Sequence, residues 1–396
     1  MGFHVTSDHL NRAEAFVKEI KDPNGLAMLD VDRFWKDDKK AHDLIWSEDC
    51  PQMPLGIGMS WECPFEELGL KEDWHRIYHD NDYQIDLCQR YNDISEKVVG
   101  KRLIGESKPD SVKQWPEIKA LHDIFEAKNV WHNESFWLQQ SANTEEELSA
   151  LLDRVESRLD NLRDFILPQN WEKEKERLTR LGCPVPRYRG QRGPVTFAMS
   201  VYGVENLIYL IEDEPELAKR FSNAIFRAIK GRAEILDHEA GFTKDTRPSG
   251  WSWMDDNCCN LNPEMYEFFA FPIVKGMFDI YSPNPNDRRY QHSDSPMGHH
   301  LPLLGTLDMT CVNLGPTLSV NEIREHLPNA VIDGQLAPFT FSRNEEVNMV
   351  AELLRDFEMS KEKKGVDFST AGSINNGSRL SGLRLLMSAI QNLCQY

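Results

Sequence analysis

The sequence predicts an α/β protein whose core is a TIM (β/α)8 barrel with an N-terminal helical extension. Short strand-like runs alternate with helix starts in the second half of the chain, and no GxGxxG or GxxxxGK[ST] loop follows any of these runs. Such alternation favours parallel strands joined by right-handed helical crossovers, in a closed barrel or an open doubly wound sheet. Because the phosphate loop typical of the open sheet is missing, we prefer the barrel.

The helix starts are marked by capping residues. Asp213, Asn262, Ser319 and Ser342 each precede an apolar-periodic run with an acidic residue in its first turn. Thr144 opens a further helix whose leucine and valine stripe at helical spacing is typical of core packing rather than of a cofactor surface. The N-terminal extension is also expected to be helical.

Eight short runs have the composition of strands, with β-branched and aromatic residues between turn residues. Together with the helices they divide the chain into a predicted extension, residues 1–50, and a predicted barrel, residues 51–396. The runs are 54–63, 129–137, 196–203, 250–256, 288–294, 309–315, 330–338 and 366–372.

Charge and hydropathy exclude several classes of function. The chain has 396 residues, and 45 Lys and Arg against 64 Asp and Glu give a formal net charge of −19. This charge repels nucleic acid and anionic membrane surfaces, so neither is an expected partner. Without a signal-like N-terminus or a long apolar run, a cytoplasmic location is expected. The chain has eight cysteines but no CxxC pair, so a zinc ribbon is not expected.

Polar residues at the strand ends are the candidate site, because catalysis in a parallel barrel occurs at the C-terminal ends of the strands. His292 and Asp294 are two positions apart on one strand and therefore face the same side. Asp255 and Asp256 alternate in direction, so only one of them is expected to face the site, and Asp256 is preferred. The other candidates at strand ends are His132, Glu134, Asn257, Asn313 and Gln335.

A basic loop interrupts this acidic chain. CPVPRYRGQRG, residues 183–193, carries Arg187, Arg189 and Arg192 between proline and glycine residues. Arginines in such a loop could receive an anionic substrate. Equally, they could be solvated side chains that balance nearby acids.

Several segments together resemble the uroporphyrinogen decarboxylase superfamily. They are GPVTFAMSVYGVENLIYLIEDEPELAKRF (193–221), EAG (239–241), MDDN (254–257), HSD (292–294), GTLDMTCVNLGP (305–316), DGQLAP (333–338) and the closing FSTAGSINNGSRLSGLRLLMSAI. The resemblance covers roughly residues 190 to 396. It implies a TIM barrel with one of two chemistries: cofactor-free decarboxylation of porphyrinogen acetates, or zinc-dependent methyl transfer to or from cobalamin-bound cobalt.

This chain departs from the motifs of both the decarboxylases and the methyltransferases, and these departures bear on which chemistry is expected. The decarboxylases carry an N-terminal Arg-Gln-Ala-Gly-Arg motif that this chain lacks. The methyltransferases use a His-x-Cys pair and a distant cysteine as zinc ligands, whereas this chain has His292-Ser293-Asp294 and no sulfur near Gly372 and Ser373. A thiolate zinc site is therefore lost, and a His/Asp site for zinc or a harder divalent metal is what remains.

The resemblance favours a corrinoid-dependent methyltransferase acting on a small molecule. His292 and Asp294 are the expected metal ligands, and these two with Asp256 are the expected catalytic residues. Since no Asp-x-His-x-x-Gly motif occurs, cobalamin would come from a corrinoid protein, and a homodimer is plausible. The alternatives are a cofactor-free decarboxylase or lyase of a carboxylated substrate and a non-catalytic binding protein. Expected substrate-binding residues are His132, Glu134, Asn257, Asn313, Gln335 and Arg189.

Overall fold

The computed structural model describes residues 4–396. Residues 1–3 of the predicted extension lie outside this range. Two helices follow before residue 50, and the division into residues 1–50 and 51–396 stays a prediction. The helices are α1 (Ser7–Glu19), α2 (Val31–Asp43), α3 (Pro64–Glu67), α4 (Trp74–His79), α5 (Asn81–Val99), α6 (Leu121–Ile124), α7 (Glu145–Leu159), α8 (Leu162–Ile166), α9 (Trp171–Arg180), α10 (Pro194–Tyr202), α11 (Val204–Asp213), α12 (Pro215–Glu239), α13 (Pro263–Phe269), α14 (Phe271–Tyr281), α15 (Leu301–Leu304), α16 (Val320–His326), α17 (Pro338–Ser342), α18 (Glu346–Ser360) and α19 (Leu380–Leu393).

The strands form one hairpin and one larger sheet. The larger sheet has six strands in the order β3-β4-β5-β6-β7-β8, with parallel pairing in β3–β4, β4–β5, β6–β7 and β7–β8. Within residues 4–396 these strands are not closed into a ring, so the closed barrel stays a prediction. The strands are β1 (Lys128–His132), β2 (Ser135–Gln139), β3 (Gly190–Arg192), β4 (Trp251–Met254), β5 (Arg289–Ser293), β6 (Cys311–Leu314), β7 (Val331–Leu336) and β8 (Val366–Thr370).

The first of two compact units comprises the chain up to Lys108 with Ser293–Leu301 and Cys311–Tyr396. In this unit α18 contacts both α1 and α19 and buries Val350, Leu353 and Leu354. All residues from Met349 to Phe357 are buried, because neighbouring helices and the strands β7 and β8 pack around this part of α18.

The second unit comprises Pro109–His292 and Pro302–Thr310. Its longest helix, α12, packs against α7 and α14. Phe221 of α12 forms the centre of an aromatic cluster with Phe125 and Phe269, at centroid distances of 6.1 and 5.8 Å. Edge-to-face and tilted ring pairs of this kind add to the stabilisation from apolar burial.

Three helix predictions need correction. Asp213, predicted as an N-cap, is the last residue of α11, and α12 starts after Glu214. Residues 196–202 of the predicted strand 196–203 belong to α10, in which all residues except Ser200 are buried. A run that is apolar on every side shows neither helical nor strand periodicity, so its pattern does not distinguish the two. Pro194 at the first helical position indicates a helix, but the prediction did not use it. Ser342 is the last residue of α17 rather than an N-cap, and α18 starts later, after Glu345.

Strand predictions were accurate for β4 to β8, five of the six strands of the sheet, and wrong for the chain before them. The runs at 250–256, 288–294, 309–315, 330–338 and 366–372 contain β4 to β8. Residues 129–137 are the hairpin β1–β2 instead of one barrel strand, because Asn133 and Glu134 have positive φ angles of 48° and 61° and turn the chain. In residues 54–63 the structure gives a single parallel bridge, Leu55 to Phe368. The three-residue strand β3 was missed.

Among the helices of residues 4–396, none is by itself long and apolar enough to cross a membrane. Taken as a pair, α10 and α11 reach the required length and composition, but they are bent by 103° with respect to each other.

Candidate metal centre

Side chains of β4 and β5 alternate between two faces of the sheet. Trp251 and Trp253 are fully buried on one face, where Trp251 contacts Tyr281 of α14 at a centroid distance of 5.2 Å. Met254, on the other face, is 39% exposed and pairs in register with His292. In-register residues of parallel strands point to the same side, so the accessible face of the sheet carries His292.

Three potential metal ligands converge where these strands end. Asp256, His292 and Asp294 each offer one ligand atom, and these atoms all lie within 4.8 Å of one another. Asp256 and His292 are half-buried and Asp294 is exposed. Since His292 and Asp294 are two residues apart, one strand end supplies two of the three donors.

Asp255, the neighbour of Asp256, points the opposite way and is fully buried. Its carboxylate accepts hydrogen bonds from the backbone N–H groups of Val195 (3.4 Å) and Thr196 (2.8 Å), which are in the first turn of α10. The carboxylate therefore caps a helix whose own N-cap residue, Gly193, has no side chain to do so. Burial, only partly offset by these bonds, raises the pKa of Asp255 to about 6.

The hydroxyl group of Thr196 links this cap to the turn that follows β4. It donates to Asp255 at 2.8 Å and accepts the backbone N–H of Asn257 at 2.9 Å. Both flanking residues of Asp256 are thus bound to one threonine. A Cβ atom at Gly193 would collide with the Asp255 side chain, so glycine is needed for this close approach. The arrangement fixes the backbone that carries Asp256.

Asp294 is positioned by the loop after β8. The backbone N–H of Ser373 donates to Oδ1 of Asp294 at 3.2 Å. Gly372 has a φ angle of +107°, and a Cβ atom there would collide with the same carboxylate oxygen. Glycine is therefore required at 372 both for its backbone conformation and for the space that Asp294 occupies.

The donor set fits a divalent cation. One imidazole nitrogen and two carboxylate oxygens are donor types that zinc accepts, and three protein ligands is the number found in catalytic zinc sites, which leave a further position for a substrate or water. Carboxylate-rich sites also accept harder divalent ions. The hydrogen bonds to Asp294 and around Asp256 supply the outer support that orients such ligands.

Two of the predicted substrate-binding residues form hydrogen bonds within the first unit instead. The side-chain amide of Asn313 donates to the carbonyl groups of Asp333 and Thr370, and its oxygen accepts the N–H of Gly372. Gln335 is fully buried and donates to the carbonyl groups of Gly315 and Leu318. These amides tie the strand ends together, which supports Asp294 indirectly through residue 372.

The structure gives the other predicted residues different positions. His132 and Glu134 lie at the turn of the hairpin β1–β2. Arg189 precedes β3, at the N-terminal end of the sheet, and its guanidinium group donates to Asp237 at 2.5 Å. None of these three belongs to the metal-ligand group. Asn257 directly follows Asp256, where its backbone N–H binds Thr196.

Sequence reasoning missed two contributors to this region. Thr196 was assigned to a strand, although Pro194 at the first helical position is a usual helix-start signal. Arg189 was preferred among the three arginines of the basic loop, yet it is Arg192 that ends β3 in register with Met254. His299 and His300, which follow the site along the chain, form a short 3-10 turn at Gly298–His300.

Comparison with known proteins gives a result at the level of fold. No protein-family model matches the sequence, and no curated protein matches it significantly. A solved structure, a methyltransferase from Methanosarcina mazei, superimposes on 86% of this chain and 94% of that chain with a TM-score of 0.50 and 13% sequence identity. At this identity the similarity shows that the two chains share a fold.

Proposed function

We propose that this protein is a methyltransferase whose Asp256, His292 and Asp294 hold a divalent metal ion, and that the site opens at the mouth of a (β/α)8 barrel. The observation that carries the proposal is the convergence of the three ligand atoms within 4.8 Å. The shared fold with a methyltransferase supports the choice of reaction.

A divalent cation bound at these residues would supply Lewis acidity to the heteroatom that carries the methyl group. The chain itself has three tasks. Asp256 and Asp294 balance the charge of the cation, His292 adds a nitrogen ligand, and the hydrogen bonds of Ser373 and Thr196 hold the carboxylate-bearing backbone in place. Preorganised ligands of this kind lower the cost of reorganisation during the reaction.

The methyl group is exchanged, in this proposal, with a corrinoid cofactor bound to a partner protein. The sequence lacks the Asp-x-His-x-x-Gly motif for binding the cofactor. We therefore expect this chain to bind and activate the small substrate while a corrinoid protein docks at the mouth of the barrel. A homodimer in solution is compatible with this arrangement.

The first experiment measures metal content by elemental mass spectrometry on protein purified without chelator. Wild type is compared with His292→Ala and with His42→Gln, a matched change of a histidine outside the ligand group. We expect near-stoichiometric divalent metal in wild type and in His42→Gln, and its loss in His292→Ala.

The second experiment follows the visible spectrum of a reduced corrinoid protein with methyl ethers and methylamines as donors. Metal-dependent methylation of the corrinoid would support the proposal. A wild-type protein without metal, even after incubation with zinc or cobalt(II), would reject it and favour the cofactor-free lyase instead.

A further inference from the structure

A small cavity in the second unit lies beside the edge strand β3. Its volume is about 250 Å³, and its walls come from α6, the hairpin β1–β2, β3 and α12. The hairpin contributes the apolar side chains Phe136 and Leu138. The polar lining contains Arg192, Arg232 and His122 together with the neutral Asn129 and Gln191, and no carboxylate of the described residues lines the cavity.

The two arginines of this cavity differ from most others in the protein because neither forms an ion pair with a carboxylate of residues 4–396. Arg192 donates to the hydroxyl of Ser200 at 3.3 Å. Arg232 donates to the carbonyl of Lys119 at 3.0 Å, and its guanidinium group lies 4.3 Å from the ring centre of Tyr188. Both keep further N–H donors.

In a chain with a net charge of −19, two guanidinium groups without acidic partners in the described part of the chain line one cavity. By contrast, Arg189 binds Asp237 and Arg220 binds both Asp153 and Glu156. Arginine presents planar pairs of donors that match a carboxylate or phosphate group. The charge and the shape of the lining therefore select an oxyanion.

The register of the sheet relates this cavity to the metal centre. Arg192 pairs with Met254, and Met254 pairs with His292. The three residues thus lie on one face of three neighbouring strands, with the Cα atoms of Arg192 and His292 roughly 10 Å apart from the usual strand spacing. A molecule a few bonds longer than a methyl ether can reach from the arginine to His292.

We propose that this cavity binds the anionic end of the substrate, so that the methyl donor is a small molecule with a carboxylate or a chemically similar oxyanion group. Arg192 forms the main contact and Arg232 adds a second positive charge. The assignment of the anion to the methyl donor rests on the proposed function, whereas the binding of an oxyanion in the cavity does not.

The test compares 4-methoxybenzoate with its neutral analogue 4-methoxybenzamide, which has the same ring and methyl ether. Affinities for the full-length protein are measured by calorimetry or ligand-observed NMR. In wild type we expect the carboxylate to bind about tenfold more tightly than the amide, because only the carboxylate forms charge-assisted hydrogen bonds. Inorganic phosphate, as a free oxyanion, should compete with the benzoate.

Variants locate the effect. Arg192→Gln should abolish the preference for the carboxylate, and Arg192→Lys should restore part of it. Arg187→Gln removes the same charge from the same loop outside the cavity and should leave the preference unchanged. Because Arg192 is exposed, its replacement is not expected to unfold the protein, which circular dichroism verifies.

Each other outcome has a defined meaning. Equal affinities for the two analogues in wild type, or an unchanged preference in Arg192→Gln, would overturn the inference. Phosphate binding without any preference for the benzoate would overturn the assignment of the oxyanion to the substrate. A carboxylate preference in protein that binds no metal would retain the oxyanion site and reject the proposed function.

Discussion

Two groups of one histidine and two aspartates occur in this protein, and they are arranged differently. In the metal-ligand group, one atom from each of Asp256, His292 and Asp294 lies within 4.8 Å of the others. In the second group, His42 lies between Asp38 and Asp367: Nδ1 is 3.6 Å from an Asp38 oxygen and Nε2 is 3.3 Å from an Asp367 oxygen.

The difference is one of direction. A cation needs donor atoms that converge on one point. The two nitrogens of an imidazole ring point apart, so His42 binds one carboxylate on each side. Through Asp367 it also links α2 to β8. Interaction with Asp367, opposed by burial, raises the pKa of His42 to about 9. The first group thus suits a metal ion, and the second is a set of ion pairs that stabilises the fold.

The largest expected effect is a loss of metal affinity when a residue of the metal-ligand group is replaced, with no loss when a residue of the second group is replaced. Asp256→Asn removes a charged ligand while keeping the size of the side chain, and we expect affinity for zinc or cobalt(II) to fall by about 100-fold, or about 2.8 kcal/mol. Titration against a chromophoric chelator measures it. His42→Gln is the control and should bind as wild type does. Equal losses in both variants would show that the two groups are not distinct.

A smaller effect is expected at Gly372. Alanine there would be strained at a φ of +107° and would displace the carboxylate of Asp294, so we expect metal affinity to fall about tenfold and stability by about 1–2 kcal/mol. Gly25→Ala is the matched control, because Gly25 also has a positive φ, of +81°, but nothing lies near its Cβ position. If both variants lose metal affinity equally, backbone strain and not the position of Asp294 is the cause.

A substitution at Thr196 tests whether its hydroxyl group positions the backbone that carries Asp256. Thr196→Val removes the hydroxyl group that binds both Asp255 and Asn257, and we expect stability to fall by about 1–2 kcal/mol and metal affinity several-fold. Thr196→Ser keeps the hydroxyl and should recover the affinity. Denaturant unfolding and chelator titration of the same preparations separate the two effects; unaltered affinity in the valine variant would contradict a positioning role.

The smallest effect concerns pH and the second group. Because the pKa of His42 is raised from 6.5 to about 9, its contribution to stability is complete below pH 6.5 and is lost as the pH rises through 9. The His42 side chain is 39% exposed, so solvent screening limits the contribution to about 1 kcal/mol or less. Urea unfolding at pH 6.5 and 9.5 should show a smaller decrease in His42→Gln than in wild type. Identical decreases would contradict the ion-pair interpretation.

Residue order was sufficient to predict which strand-end residues come together here and insufficient to predict their surroundings. The preference for Asp256 over Asp255 followed from strand alternation, and the structure brings Asp256 to His292 and Asp294. Ser319 and Thr144 were identified as N-caps because a capping residue with Glu three positions later is a local signal. Such predictions depend only on residues that are close in the chain.

Other features depend on contacts that residue order does not contain. The helix α10 is capped by a carboxylate some 60 positions later in the chain. Polar residues at strand ends, such as Asn313 and Gln335, can line a site or bind backbone groups, and composition does not distinguish these roles. The difference between Arg189 and Arg192 appears only once β3 is known to span Gly190–Arg192, because Arg189 then precedes the strand and Arg192 lies at its C-terminal end.

The alternation of side chains in β4 and β5 also determines which sequence changes this site can survive. Substitutions on the buried face of the strands, which carries Trp251 and Trp253, alter packing. A one-residue deletion between Trp251 and Asp255 would instead turn Asp256 to that buried face and leave Asp255 facing the metal ligands. The site therefore tolerates exchanged side chains better than a change of segment length. A deletion library should recover no active clones shortened within residues 251–255 or 289–293.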